Sequence, residues 1–375
     1  MIMEELVYIY AVAELFRYNP LASRQLLASL ENPASLFSMG DDELEAVSGI
    51  RGAAREMVND SLLEKSLREL EWARSRGVSV LPITGDEYPP LLRECADAPV
   101  VLFYLGSSNL KEGLPVSIVG TRLASSYGRE ATARIVSGFA ECKESQLLLS
   151  GGVKIVSGLA YGVDITAHKA ALEMGLETIG VLPCGIDLIY PSRHRSIAKQ
   201  MVKQGGIISE FPHGVGVRRW QFIKRNRIIA GLSAATIVAE TRIKGGSMST
   251  VEFANSYGRE VYAVPGRLGD ANSYGCNYLI SRNVAQIFTD VSATEICNPQ
   301  GGYAPAFGAQ MNLFSFEDDK KEKILLSLKN NCALDIDSVC NLTGLPYGDV
   351  AALLLELELE GRVRLVHGGR YISVG

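Results

Sequence analysis

The chain has 375 residues, 47% of them hydrophobic and 21% charged, with 37 Gly and 14 Pro; this composition excludes dominant disorder, and the length implies two or three domains. No apolar run approaches the ~20 residues of a membrane-spanning helix, and the start MIMEELVYIY lacks the basic region and small-residue cleavage site of a secretory signal, so a soluble cytoplasmic protein without membrane contact is expected. The net charge of -5 hides an uneven distribution, because residues 191–230 carry nine basic residues and one acid, while residues 1–76 carry eight basic and thirteen acidic ones.

Residues 1–76 read as a helical domain. EELVYIYAVAELF has apolar residues at helical spacing, and Asp41 and Asp42 mark another helix start. Gly49 and Gly52 lie between two amphipathic stretches, as in a helix-hairpin-helix turn or an ordinary packed hairpin. Residues 77–297 form the next expected domain. Short apolar runs at 115–120, 153–158, 177–182, 205–210, 234–240, 259–264 and 285–289 alternate with helical segments. Runs with little polar alternation suit a parallel sheet covered on both faces, which makes this an α/β, Rossmann-like, doubly wound domain. Its ligands are expected just beyond the carboxyl ends of the strands. Residues 298–317, rich in Gly and Pro, read as a linker. Residues 318–375 read as three helices and a hairpin turning at Gly368-Gly369, the winged-helix pattern; their seven basic and ten acidic residues, counted from Glu317, argue against strong duplex binding.

The turns after the strands carry the chemistry. Gly120, Thr121 and Arg122 lead through Ser125 to Gly128 into a helix, which outlines a phosphate site without being a GxGxxG fingerprint or a P-loop. Ser157 and Gly158 begin a second glycine turn, SGLAYGVD, ahead of another helix. Asp164 and His168 stand four apart there; an acid/base or metal pair is conceivable, but helix capping and local packing outweigh it. In WQFIKRNRIIAGLS, Lys224, Arg225 and Arg227 flank Asn226 beside Trp220 and Phe222. Cations interleaved with aromatic and amide groups suit single-stranded nucleic acid. The seven cysteines are scattered without a CxxC pair, and the histidines lack ligand spacing, so reduced core thiols, no metal and no cofactor are expected.

Taken together, VSIVGTR, the SSYG turn, IVSGLAYGVDITAH, GID with IYP, SEFP, RNRIIAGLS and VYAVPG resemble the DNA-processing protein A family, also called DprA or Smf. The resemblance runs from about Tyr88 to about Asp290, with looser matches to the family's sterile-alpha-motif-like N-terminal and winged-helix C-terminal additions. It implies a homodimeric, non-enzymatic protein that binds single-stranded DNA and loads RecA recombinase during natural transformation. The implied DNA pocket comprises Gly120, Thr121, Arg122, Ser157, Gly158, Arg225, Asn226 and Arg227, with a looser match at Lys244, Gly246 and Ser247. On the reading of the residues themselves, Arg122, Lys224, Arg225 and Arg227 meet phosphates and Phe222 stacks a base. The chain departs from the family at His194, where Asn is usual, and at Cys276 and Asn283-Val284.

Other readings stay open at this point. GGSMSTVE is similar to a loop of nucleotide-cleaving phosphoribohydrolases, with Glu252 as the catalytic candidate, and a non-catalytic dimeric scaffold is a third class. In the linker, Gln310, Leu313 and Phe314 resemble the pentapeptide by which bacterial proteins dock on the sliding clamp.

Overall fold

The computed structural model describes residues 3–292 apart from 17–18, 49–55 and 143–150, then 294 and 296. In the C-terminal part it describes 323–325, 327–328, 333–346, 350–351, 353–354, 357–358, 362–366 and 370–373. The chain divides into two compact units, Met1–Tyr303 and Ala304–Gly375. The expected hairpin glycines Gly49 and Gly52, the linker motif at Gln310, Leu313 and Phe314, and the Gly368-Gly369 turn lie outside the described residues.

The first unit is built on a mostly parallel sheet of strands β1 (Ser79–Pro82), β2 (Val101–Gly106), β3 (Leu114–Gly120), β4 (Val153–Ser157), β5 (Glu177–Val181), β6 (Gly205–Ser209), β7 (Ala235–Glu240), β8 (Glu260–Ala263) and β9 (Gln286–Ile287). Their order is β1-β2-β6-β5-β4-β3-β7-β8-β9. The seven runs read from the sequence are β3 to β9, all parallel to their neighbours within that set. Two strands escape that reading. β1 and β2 form an antiparallel hairpin-like pair, and β2 lies antiparallel to β6 at the sheet's edge.

Every residue of β7 is buried, as a central strand with helices on both faces requires. Alternate side chains of β3 go to opposite layers: Val116 and Ile118 join Ile135, Phe139 and Ala167, whereas Val119 joins Ile228, Ile229 and Val251. Lys154 interrupts the apolar run of β4 and is itself buried. Its ammonium lies 2.8 Å from Glu177 Oε2 and donates to Ser108 Oγ at 2.9 Å, so the buried cation is paired and hydrogen-bonded.

The N-terminal helices Met3–Leu15 and Asp60–Ser75 place Ile9, Tyr10, Leu70 and Ala73 in one core with Phe103 of β2 and Ile207 of β6. Asn59 caps the second of these helices, its Oδ1 accepting from the Leu62 amide at 3.0 Å. No described helix is long and apolar enough to cross a membrane. The second unit contains the helix Ile336–Thr343, which ends on Gly344 in the left-handed region, and the antiparallel hairpin Val363–Val366 with Arg370–Ser373. Val339, Val350, Leu354, Leu357 and Val363 form its core.

Candidate nucleic-acid interface

The strand order reverses at β3, where β4, β5 and β6 follow on one side and β7, β8 and β9 on the other. Such a switch point opens a crevice at the carboxyl ends of the strands. The Gly120-Thr121-Arg122 turn leaves β3 at that place and is clamped by its neighbours. Thr121 donates its amide to Glu240 O at 2.7 Å and accepts from the Val163 amide at 3.2 Å. A side chain at Gly120 would meet Val163 Cγ2 at 2.5 Å and Glu240 O at 2.7 Å, so glycine is what lets the strand end pass between the two elements.

The helix beginning at Ser126 does not present an open anion site, contrary to the phosphate outline read from its sequence. The carboxylate of Glu240, at the end of β7 and fully buried, already occupies its N-terminus. Ser125 donates its amide to Glu240 Oε2 at 2.8 Å and its hydroxyl to Oε1 at 2.6 Å, and Ser125 Oγ accepts from the Gly128 amide at 3.0 Å. A Cβ at Gly128 would come within 2.4 Å of Glu240 Oε2. An internal carboxylate therefore satisfies the donors and the positive end of the helix dipole that a phosphate would otherwise use.

Arg122 is exposed, and its guanidinium lies over the ring of half-buried Phe222, 4.6 Å from the centroid. Tyr190 packs its edge on the same ring, with centroids 5.8 Å apart. Arg122, Phe222 and Tyr190 form an open cationic and aromatic surface at the switch point.

Arg225 and Arg227, expected as phosphate ligands, have a different placement. Arg225 is 3% exposed; it donates to Gly158 O at 2.6 Å, to Val181 O, and through Nε to Asn226 Oδ1 at 3.2 Å. Burial draws its pKa down to about 10, opposed by the charge of Asp164. A side chain at Gly158 would meet the guanidinium at 2.3 Å, so this glycine makes room for Arg225 rather than for a phosphate. Arg227, 4% exposed, pairs with Glu210 and donates to Asp97 O. Both buried guanidinium groups thus donate to carbonyls, an amide oxygen and a carboxylate inside the protein. Lys224 lies 3.5 Å from Glu210 and 5.7 Å from the centre of the Phe211 ring. Asn226 donates to Gly246 O at 3.2 Å and Ser249 Oγ at 2.9 Å, which ties the helix Arg219–Leu232 to the turn after β7.

In that turn, Ser247 is buried and donates to Thr241 Oγ1 at 2.7 Å, while Lys244 and Gly246 are exposed. Ser157 is also buried and donates to Ile118 O at 2.6 Å, holding β4 against β3. The solvent-facing members of the expected set are thus Arg122, Lys244 and Gly246; Gly120, Thr121, Phe222, Lys224 and Asn226 are half-buried, and Ser157, Gly158, Arg225, Arg227 and Ser247 are buried. Glu240 and Glu210, which organise the turn and the helix, were missed in the sequence, although each is an acid closing an otherwise apolar strand segment.

The other candidates resolve locally. Asp164 Oδ2 accepts from the Ala160 amide at 3.3 Å and thereby closes the SGLAYG turn. His194, standing where the family has Asn, donates from Nδ1 to Leu159 O at 2.8 Å; Leu159 has the left-handed φ of 55°, so this donor steadies a strained carbonyl. Asn277, in the other departing segment, accepts from the Gly266 amide at 3.0 Å and donates back to Gly266 O at 3.1 Å. Glu252 is exposed on the helix Met248–Ser256. Cys95, Cys184 and Cys276 are buried free thiols, pushed by burial to about 11, 12 and 12.

His168 is completely buried and holds Thr178 Oγ1 at 2.7 Å; because that hydroxyl donates to Ile155 O, the imidazole Nδ1 is the donor in this pair. Burial, followed by the charges of Arg225 and His194, lowers its pKa from 6.5 to about 3. The folded protein keeps this ring neutral in a range where the unfolded chain takes up a proton. Its stabilising share is complete above pH 6.5 and is lost as pH falls towards 3. Urea unfolding of the wild type should therefore lose stability on acidification from about pH 7 to pH 5, with a slope from this group approaching ~1.4 kcal/mol per pH unit. His168→Asn should flatten that slope; an unchanged slope would assign the acid sensitivity to other groups.

Comparison with known proteins places these features together. Residues 79–298 match the family model for DNA recombination-mediator protein A, and residues 315–369 match the DprA winged helix domain. Protein Smf of Escherichia coli is 35% identical over 303 residues, covering 80% of this chain and 78% of its own. The DNA processing protein DprA of Streptococcus pneumoniae is 35% identical over 263 residues, covering 69% and 88%. Among solved structures, DprA from Streptococcus pneumoniae superposes with a TM-score of 0.60 at 30% identity, covering 76% of this chain and 95% of its own. DNA processing protein A from Helicobacter pylori, whose structure concerns its single-stranded DNA binding mode, gives a TM-score of 0.50 at 30% identity over 57% and 92%.

Proposed function

The chain belongs to the DNA recombination-mediator protein A (DprA) family, and from that premise we propose that it binds single-stranded DNA at the switch point of its sheet and delivers it to RecA recombinase as a homodimer during natural transformation. The observation that carries this reading is the exposed Arg122 guanidinium lying on Phe222 beside Tyr190. In the free protein Arg122 covers a face of Phe222. A single strand would exchange that contact: the guanidinium moves to a phosphate, and a base takes the uncovered ring. Duplex bases are paired and stacked internally, so they cannot make the same exchange.

Arg225, Arg227, Asn226 and Ser247 act in this reading as supports that hold the turns, while the exposed Lys244 and Gly246 border the path of the strand. The single-stranded DNA of the Helicobacter pylori relative supports the ligand class. The proposed division is a helical segment 1–76, the DNA-binding unit 77–297, a linker 298–317 and a winged helix 318–375, with function in binding rather than catalysis.

Fluorescence anisotropy of a labelled single strand against a matching duplex over a salt series tests the proposal. The single strand should bind more tightly, with an affinity that falls steeply as salt rises. Phe222→Ala should weaken single-strand binding by about tenfold, the order expected when one base loses its stacking partner, while changing the salt slope little. Equal affinity for duplex, or no binding at low salt, would overturn the reading.

A further inference from the structure

A second recess flanks the helix Arg219–Leu232 on the side away from Phe222. Trp220 and Phe222 are two residues apart, which at 3.6 residues per turn turns them to opposite sides of the helix. Their contacts show the split: Phe222 meets Arg122 and Tyr190, whereas Trp220 meets the buried ring of Phe211 at 6.1 Å and lies under the Lys224 ammonium at 6.0 Å. Trp220 itself is 39% exposed. Beside it a hollow of about 230 Å³ is bounded by Phe211, Trp220, Arg218, Gln221 and the glycines Gly214 and Gly216.

The walls of this hollow are fixed from outside. His213 donates its amide to Glu69 Oε1 at 2.9 Å and its ring Nδ1 to Glu69 Oε2, and the ring stacks on Trp72 with centroids 4.3 Å apart and planes 10° from parallel. Glu69 and Trp72 belong to the N-terminal helix Asp60–Ser75. Gly214, in the left-handed region at φ 76°, donates to Asp187 Oδ1 at 3.1 Å, and Gln221 Oε1 accepts from the Arg218 amide. The loop after β6 is thereby anchored at both the N-terminal helix and the Asp187 turn, and it contributes Gly214 and Gly216 to the lining beside an exposed indole.

We propose that this hollow is a second base-binding bay, in which a nucleobase of single-stranded DNA stacks on Trp220 while Arg218 meets the adjoining phosphate. The inference rests on the single-strand reading of the Phe222 side and extends it. The chemistry of the rim selects the occupant: Arg218 lines the hollow and is exposed, the adjoining Arg219 is exposed as well, and Lys224 stands over the indole, so an aromatic ligand carrying negative charge is favoured over an apolar peptide. A strand crossing the start of the helix, a body about 10 Å across, joins the two flanks. The Glu69–His213 and Trp72 contacts make the N-terminal helix a positioning element for the bay.

The test compares a short oligothymidylate of about 4 nucleotides with a long one of about 16, spanning the usual range of single-strand site sizes. The only tryptophans are Trp72 and Trp220, so the part of the wild-type emission that Trp220→Ala lacks is the Trp220 signal. The long strand should quench that signal and the short one should not. Trp220→Ala should weaken binding of the long strand by about tenfold while leaving the short strand at the wild-type affinity, which also reports a correctly folded variant. Unmoved fluorescence with the long strand bound, unchanged long-strand affinity, or an equal loss for both lengths would overturn the bay and leave the Phe222 site standing. Failure of the wild type to bind either strand would remove both.

Discussion

Arg225→Ala is expected to lower the stability of the sheet-containing unit by about 3 to 5 kcal/mol, a fall in Tm on the order of 10 °C, and to reduce DNA binding mainly through that loss. The substitution strips the donors from Gly158 O and Val181 O, both enclosed between β4, β5 and the helix Arg219–Leu232. It also removes the largest influence holding down the carboxyl of Asp164, which burial already raises, so an acid would be left in the interior without its compensating cation. Arg122→Ala should behave in the opposite way. Its side chain is exposed and rests on the Phe222 ring, so Tm should change by no more than a few degrees while single-strand affinity falls and the salt slope loses about one unit. Thermal melts and anisotropy on the two variants separate the roles. A stable Arg225→Ala protein that binds DNA weakly would show that this arginine contacts phosphate after all, and a strongly destabilised Arg122→Ala would assign that side chain to the fold.

Gly162→Ala is the second large effect, expected to cost about 2 to 4 kcal/mol and to move the very turn that carries Arg122. Gly162 precedes the helix Val163–Glu173 with φ 76° and ψ -122°, a conformation that only glycine adopts without strain. An added Cβ would stand 2.2 Å from Thr121 O and 2.7 Å from Arg122 O. The added Cβ would press directly on the backbone of the Thr121-Arg122 turn, whose bonds to Glu240 O and the Val163 amide would have to give. Gly246→Ala is the matched control, because a Cβ there meets nothing within 4 Å and the residue is exposed. Gly162→Ala should lower both Tm and DNA affinity, whereas Gly246→Ala should keep the wild-type Tm. Wild-type affinity in Gly162→Ala would mean that the Thr121-Arg122 turn does not position the DNA.

Much of the fold was legible in the chain itself. The seven apolar runs are β3 to β9: β3 to β8 are almost wholly buried, and a strand covered on both faces leaves no polar alternation, whereas β9 lies exposed at the end of the sheet order. The pair β1 and β2 was not read: β1 is only four residues long and goes from exposed to buried along its length, and its place at the edge comes from pairing with β2 rather than from its own pattern. The glycine turns and the cationic segment around Asn226 were equally visible, and the order of strands at the switch point brings them together at one end of the sheet.

The sequence by itself determined which segments form the sheet, where its turns lie, and that their chemistry suits a polyanion, since apolar period, glycine and charge are local properties of the chain. Only the tertiary structure decided which charges face the solvent. Arg122 and Arg225 look equivalent in sequence, yet one lies open on Phe222 and the other is enclosed beneath Gly158. The helix start after β3 looks like a phosphate cradle until Glu240, 115 residues after Ser125, fills it with a carboxylate. Burial and pairing depend on residues far apart in the chain, and the same guanidinium or helix terminus becomes a ligand site or a structural prop according to what the fold has already placed against it.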